Sequence, residues 1–92
     1  MSVNVTLSLV ADLPSAERAE AAYAALVRLL VDESLDRDVD LDRRGHVVTG
    51  QTPYPVIISS FHRWHEPFEE KVRDAVGPDA TLSLDWGFPD DE

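Results

Sequence analysis

Val3-Asn4-Val5-Thr6-Leu7-Ser8-Leu9-Val10 is the stretch that decides the fold. Successive side chains of a strand point to opposite faces, so Val3, Val5, Leu7 and Leu9 share one side and Asn4, Thr6 and Ser8 the other. The pattern predicts a strand with one buried face. Asp12-Leu13-Pro14-Ser15 follows, with Pro14 suited to a first helical turn and Asp12 or Ser15 able to cap its free amides. From Ala16 to about Glu33 strong helix formers dominate. Ala19, Tyr23, Leu26 and Leu30 make an apolar stripe, which Ala22, Val27 and Leu29 widen.

Further along, His46 to Thr49 and Val56 to Phe61 predict strands, separated by a Gly- and Pro-containing loop around Tyr54. Val56 to Phe61 starts apolar on both faces, which predicts a central strand. Pro67 predicts the start of a second helix, with Phe68, Val72, Ala75 and Val76 on its buried stripe and Gly77-Pro78 as its stop. Ala80 to Trp86 alternates again, and residues 87–92 predict a flexible acidic tail. The order is β-α-β-β-α-β. It resembles the ferredoxin-like plan: an α+β two-layer sandwich, with a four-stranded antiparallel sheet covered on one face by two helices. An extra short edge strand near Val39-Leu41 would fit the same plan. Asn4, Thr6, Ser8, Thr81, Ser83 and Asp85 would then line an open, hydrated sheet face. Such a face disfavours a hydrophobic sheet-to-sheet dimer and predicts a monomer or a weak homodimer.

The 92 residues suit a single domain spanning 1–92. The chain contains no cysteine, so disulfides, thiolate zinc sites and cysteine nucleophiles are excluded. A small domain without disulfides fits a reducing interior, and Met1 to Leu7 contains no basic stretch leading into an apolar run. A cytoplasmic location is the expectation. The net charge of −10, from 18 acidic and 8 basic residues, opposes direct binding to nucleic-acid backbones or anionic membranes. It favours a basic protein partner.

The acid is concentrated in Ser34 to Gly45, where Asp36, Asp38, Asp40 and Asp42 alternate with Arg37, Val39 and Leu41. An EF-hand loop started at Asp36 would need Gly and Glu where Leu41 and Val47 stand, so the calcium pattern fails. The segment reads instead as an acidic contact surface, either an edge strand or a loop. His62 and His65 can approach one metal, but no third ligand is evident, and nothing in the spacing demands that His46 or Glu66 serve as one. No serine lies in a nucleophile elbow and the four glycines are dispersed, so neither catalysis nor a cofactor is expected. Tyr54, Trp64, Trp86 and Phe88 fall at strand ends and loops, and Trp64 is the best aromatic anchor for an interface.

In length, acidity, lack of cysteine and α+β layout the chain resembles small cytoplasmic immunity proteins of bacterial toxin systems. That resemblance implies a non-enzymatic antagonist of a basic partner and assigns no residue by itself. The residues expected to meet the partner are Asp36, Asp38, Asp40, Asp42, Arg63, Trp64, Asp90, Asp91 and Glu92. Two other readings remain open. One is a small ferredoxin-like enzyme or ligand-binding domain with a site near His62, His65 and Tyr54. The other is a nucleic-acid mimic with carboxylates spaced like phosphates.

Overall fold

The computed structural model describes residues 2–88, excepting the side chain of Ser2. The elements run β1 (Ser2–Asp12), α1 (Ala16–Asp32), β2 (Asp40–Arg44), β3 (Val47–Gln51), β4 (Val56–Ser59), α2 (Phe61–Val76) and β5 (Thr81–Gly87). Every strand pairing is antiparallel. Residues 8–12 of β1 pair with both β3 and β5, which therefore flank it, and β2 pairs with β3. The four strands lie in the order β5-β1-β3-β2, and β4 pairs with residues 2–5 of β1. This is an α+β fold with a five-stranded antiparallel sheet and two helices, compatible with a ferredoxin-like arrangement. No helix is long and apolar enough to cross a membrane.

The alternation of β1 sets the core. Val5, Leu7, Leu9 and Ala11 are buried, and Leu7, Leu9 and Ala11 pack with Ala19, Ala22, Leu26 and Leu30 of α1 and with Phe68, Val72 and Val76 of α2. Both helices thus cover the same sheet face. Val27, expected on the buried stripe, is exposed instead. The stripe is narrower because β2, the strand beside α1, is short and contributes only the half-buried Leu41 inward.

The caps explain where α1 begins and ends. Ser15 Oγ accepts from the Arg18 amide at 3.2 Å, satisfying one free donor of the first turn. At the other end the Leu35 amide donates to the Leu30 carbonyl at 2.7 Å and the Ser34 amide to the Val31 carbonyl at 3.1 Å. This is a Schellman closure, with Ser34 in the left-handed region at φ 61° where glycine is usual.

The start of α2 corrects the sequence reading. The helix begins at Phe61, and Pro67 lies inside it. Phe61, Trp64 and Phe68 continue the apolar stripe backwards at helical spacing, with Phe61 and Phe68 buried, and this packing outweighs the donor that Pro67 removes. The strand before it is correspondingly short. Ile57 in β4 is 70% exposed, so the expected central strand with two apolar faces is not found. Its partner in register is Asn4, on the sheet face that no helix covers.

The expected tail is also revised. Gly87 closes β5 opposite Thr6, and the Phe88 ring meets Phe61 edge-on at 5.5 Å. Asp90, Asp91 and Glu92 lie outside the described residues.

Candidate partner-binding surface

The segment rich in aspartate is half turn and half strand. Asp36 and Asp38 sit in the turn that follows α1, where the Asp38 and Val39 amides both donate to the Leu35 carbonyl. Asp40 and Asp42 belong to the edge strand β2. Directly opposed residues of antiparallel strands share a face. Asp40 therefore stands in one cross-strand row with Gln51, Ser8 and Asp85, and Asp42 in the next with Thr49, Val10 and Ser83. A third row is Arg44, Val47, Asp12 and Thr81. These rows form the sheet face opposite the helices. Strands lie about 4.8 Å apart, so Asp40 and Asp85 border that face at a separation of roughly 14 Å.

Own-chain cations neutralise little of this acid. Asp42 pairs with Arg44 at 3.1 Å, but the two side chains are 59% and 88% exposed. An ion pair so open to water contributes about 0–1 kcal/mol and exchanges readily for a partner's charge. Asp12 lies 2.8 Å from His46 Nδ1. Among the described residues Asp36, Asp38, Asp40 and Asp85 make no ion pair.

The expected site residues do not form a single cluster. Asp36 and Asp40 line a groove of about 320 Å³ between α1 and β2. Asp38 lines a separate cleft of about 300 Å³ with Glu33, Val56, Ile58 and Trp64. Arg63 is exposed on α2 and lines neither. Trp64 is half-buried rather than projecting. Its ring stacks on Phe68 at 4.5 Å, and its Nε1 donates to Glu33 Oε2 at 3.1 Å.

Glu33 and Glu69 are the polar residues that sequence reasoning missed. Each accepts a tryptophan indole N–H, Glu33 from Trp64 and Glu69 from Trp86 at 3.0 Å. Lys71 Nζ donates to Glu33 Oε1 at 2.8 Å, and this bond, with that from Trp64, holds the Glu33 carboxyl below its ordinary pKa of 4.5. No local motif marks either glutamate, since their partners lie on other elements or a helical turn away.

The histidines are separately engaged. His65 stacks on Phe61 with ring centres 4.9 Å apart, and its Nδ1 lies 3.4 Å from Glu69 Oε2. Among the described residues no three His, Asp or Glu side chains converge as metal ligands.

No protein-family model matches the chain, and comparison with the curated proteins and with the solved structures gave no match. The functional reading therefore rests on the surface itself.

Proposed function

We propose that this chain is a ferredoxin-like, non-enzymatic binding module that works in the cytoplasm by capturing a basic protein partner, as immunity proteins neutralise bacterial toxins. One observation carries the proposal. Asp40, Asp42 and Asp85 are set by strand register on a sheet face that no helix covers, and Asp36 and Asp38 extend the acid around the edge of the domain. Toxins that act on nucleic acid carry basic clefts for phosphate. An acidic face of this breadth steers such a partner into encounter and suppresses neutral or acidic competitors. Ser8, Thr49, Gln51 and Ser83 supply hydrogen-bond donors and acceptors between the carboxylates. They offer polar contacts to a bound protein beside the exposed Val10 and Ile57 of the same face.

The test uses the partner captured from the native cell with the full chain. Reversal of Asp40, Asp42 and Asp85 to Lys should weaken binding by orders of magnitude. Reversal of Glu70 and Asp74, exposed on α2, should change it little. Equal losses from the two sets would reject the sheet face as the interface. Displacement of the chain from its partner by DNA would show that the occupied cleft is the partner's nucleic-acid site.

A further inference from the structure

We infer that the outer edge of β5 pairs antiparallel with β5 of a second copy of the chain, about a two-fold axis through Leu84. The inference goes beyond the proposed function and does not depend on the basic partner. Among the described residues β5 pairs with β1 alone, in an unbroken register from Thr81 to Gly87. The Thr52 amide donates to the Leu7 carbonyl and the Leu13 amide to the His46 carbonyl, so odd-numbered residues along β1 turn their backbone groups toward β3. The even-numbered ones turn toward β5, where Thr6, Ser8, Val10 and Asp12 meet Gly87, Asp85, Ser83 and Thr81. Leu82, Leu84 and Trp86 therefore aim their N–H and C=O groups outward. The two outer strands of the sheet differ in protection. The edge strand β2 reads Asp-Leu-Asp-Arg-Arg, whose charges oppose strand pairing, whereas β5 carries Asp85 as its single charge and has no proline, lysine or bulge.

The edge is complementary to itself. An axis through Leu84 engages all three outward residues, with Leu84 opposite Leu84 and Leu82 opposite Trp86 of the second copy. Ser83 then stands opposite Asp85 of the second copy in a pair without backbone bonds, where side chains approach most closely, and its hydroxyl can donate to that carboxylate. The two acids are not opposed. On the helix side Leu82, Leu84 and Trp86 are only half-buried, so a paired strand covers apolar surface that α2 leaves open. Arg73 lines a hollow of about 630 Å³ beside Ala80 and Leu82, while Glu69 accepts the Trp86 indole N–H at 3.0 Å. Opposing Leu82 to Trp86 brings Arg73 of each copy to the side where Glu69 of the other stands. The same register sets Phe88, which is 40% exposed, opposite Ala80 of the second copy, at the mouth of that hollow. The net charge of −10 on each copy opposes association at long range, but at 0.15 M salt a screening length of about 8 Å removes most of that repulsion.

The test is sedimentation equilibrium of the full chain alone, from micromolar to millimolar concentration at physiological salt. The mass should rise toward twice that of the chain, and amide hydrogen exchange at Leu82, Leu84 and Trp86 should slow as it does. Ser83→Lys sets a cation opposite Asp85 of the second copy and should lower the dissociation constant severalfold, because the pair occurs twice in each dimer. Ser83→Glu opposes two carboxylates and should raise it by a similar factor. Ala24→Lys and Ala24→Glu make the same changes in net charge on the exposed side of α1 and should alter it much less. A chain that stays monomeric throughout, or a dimer that responds to Ser83 no more than to Ala24, would overturn the inference. Either result leaves capture of a basic partner standing, because that reading is tested by charge reversal on the sheet face.

Discussion

Trp64 Nε1 donates a hydrogen bond to Glu33 Oε2 at 3.1 Å, joining the first turns of α2 to the residue that ends α1. The same carboxylate accepts from Lys71 Nζ, so one side chain gathers two donors from α2. The helix–helix contact is therefore sensitive to acid. The folded chain holds the Glu33 proton less tightly than the unfolded chain, because both bonds favour the charged form. Stability from this group is full above the unfolded-state pKa, near 4.5, and is lost as pH falls through the lower folded value. Glu33→Gln should flatten that part of the acid limb when urea unfolding is followed from neutral pH downward. An unchanged acid limb would show that the carboxylate is not coupled to folding.

Trp64 also stacks on Phe68, which is 1% exposed and among the largest fully buried side chains. Phe68→Ala should cost about 3–5 kcal/mol. A domain of this size has about 5–15 kcal/mol in all, so the variant should be close to unfolding at 37 °C. A loss below about 1 kcal/mol in chemical denaturation would mean that the aromatic cluster of Phe61, Trp64, Phe68 and Trp86 is not part of the cooperative core.

Ser34 holds a left-handed conformation at φ 61° to close the Schellman turn after α1. Glycine adopts that region without a Cβ penalty. Ser34→Gly should therefore raise stability by about 0.5–1 kcal/mol, read as a higher urea midpoint with the same slope. Gly77 presents the opposite case. Its φ is 92°, and a Cβ there would lie 2.7 Å from Arg18 Nη2 and 3.0 Å from Asp79 Oδ1. Arg18 Nε and Nη2 donate to Asp79 Oδ2 and Oδ1 at 2.8 and 3.0 Å, tying α1 to the turn before β5. Gly77→Ala should destabilise by more than about 1 kcal/mol, since the added carbon both strains the backbone and crowds this pair.

Pro67 leaves the Arg63 carbonyl without its usual helical donor. Pro67→Ala restores that donor and should slow amide hydrogen exchange in the first turns of α2. Exchange that stays as fast as before would show that these turns are held by packing of Phe61 and Trp64 alone.

These details show which parts of the fold were legible in the sequence. The alternation from Val3 to Leu9 was, because period-two burial is local to one strand, and Val5, Leu7 and Leu9 are all at most 3% exposed. Ser15 likewise signals its cap within three residues. Pro67 misled because proline is read as a helix start, whereas the stripe of Phe61, Trp64 and Phe68 takes its meaning from the core it meets. The aspartates were visible as an alternating run, but their grouping was not. Asp40 faces the row of Ser8 and Asp85 only through registers set between strands distant in sequence. Trp64 read as an interface residue because an aromatic beside exposed charges resembles an anchor. Its partner Glu33 lies 31 residues away.

The rate at which the chain associates with its captured basic partner, measured between about 0.01 and 0.15 M salt, tests the account most directly. Over that range the screening length shrinks from roughly 30 to 8 Å. An acidic face that steers encounter predicts a fall in the association rate on the order of tenfold or more, with a smaller change in dissociation. An association rate that does not respond to salt would contradict the proposal that this face is what the partner meets.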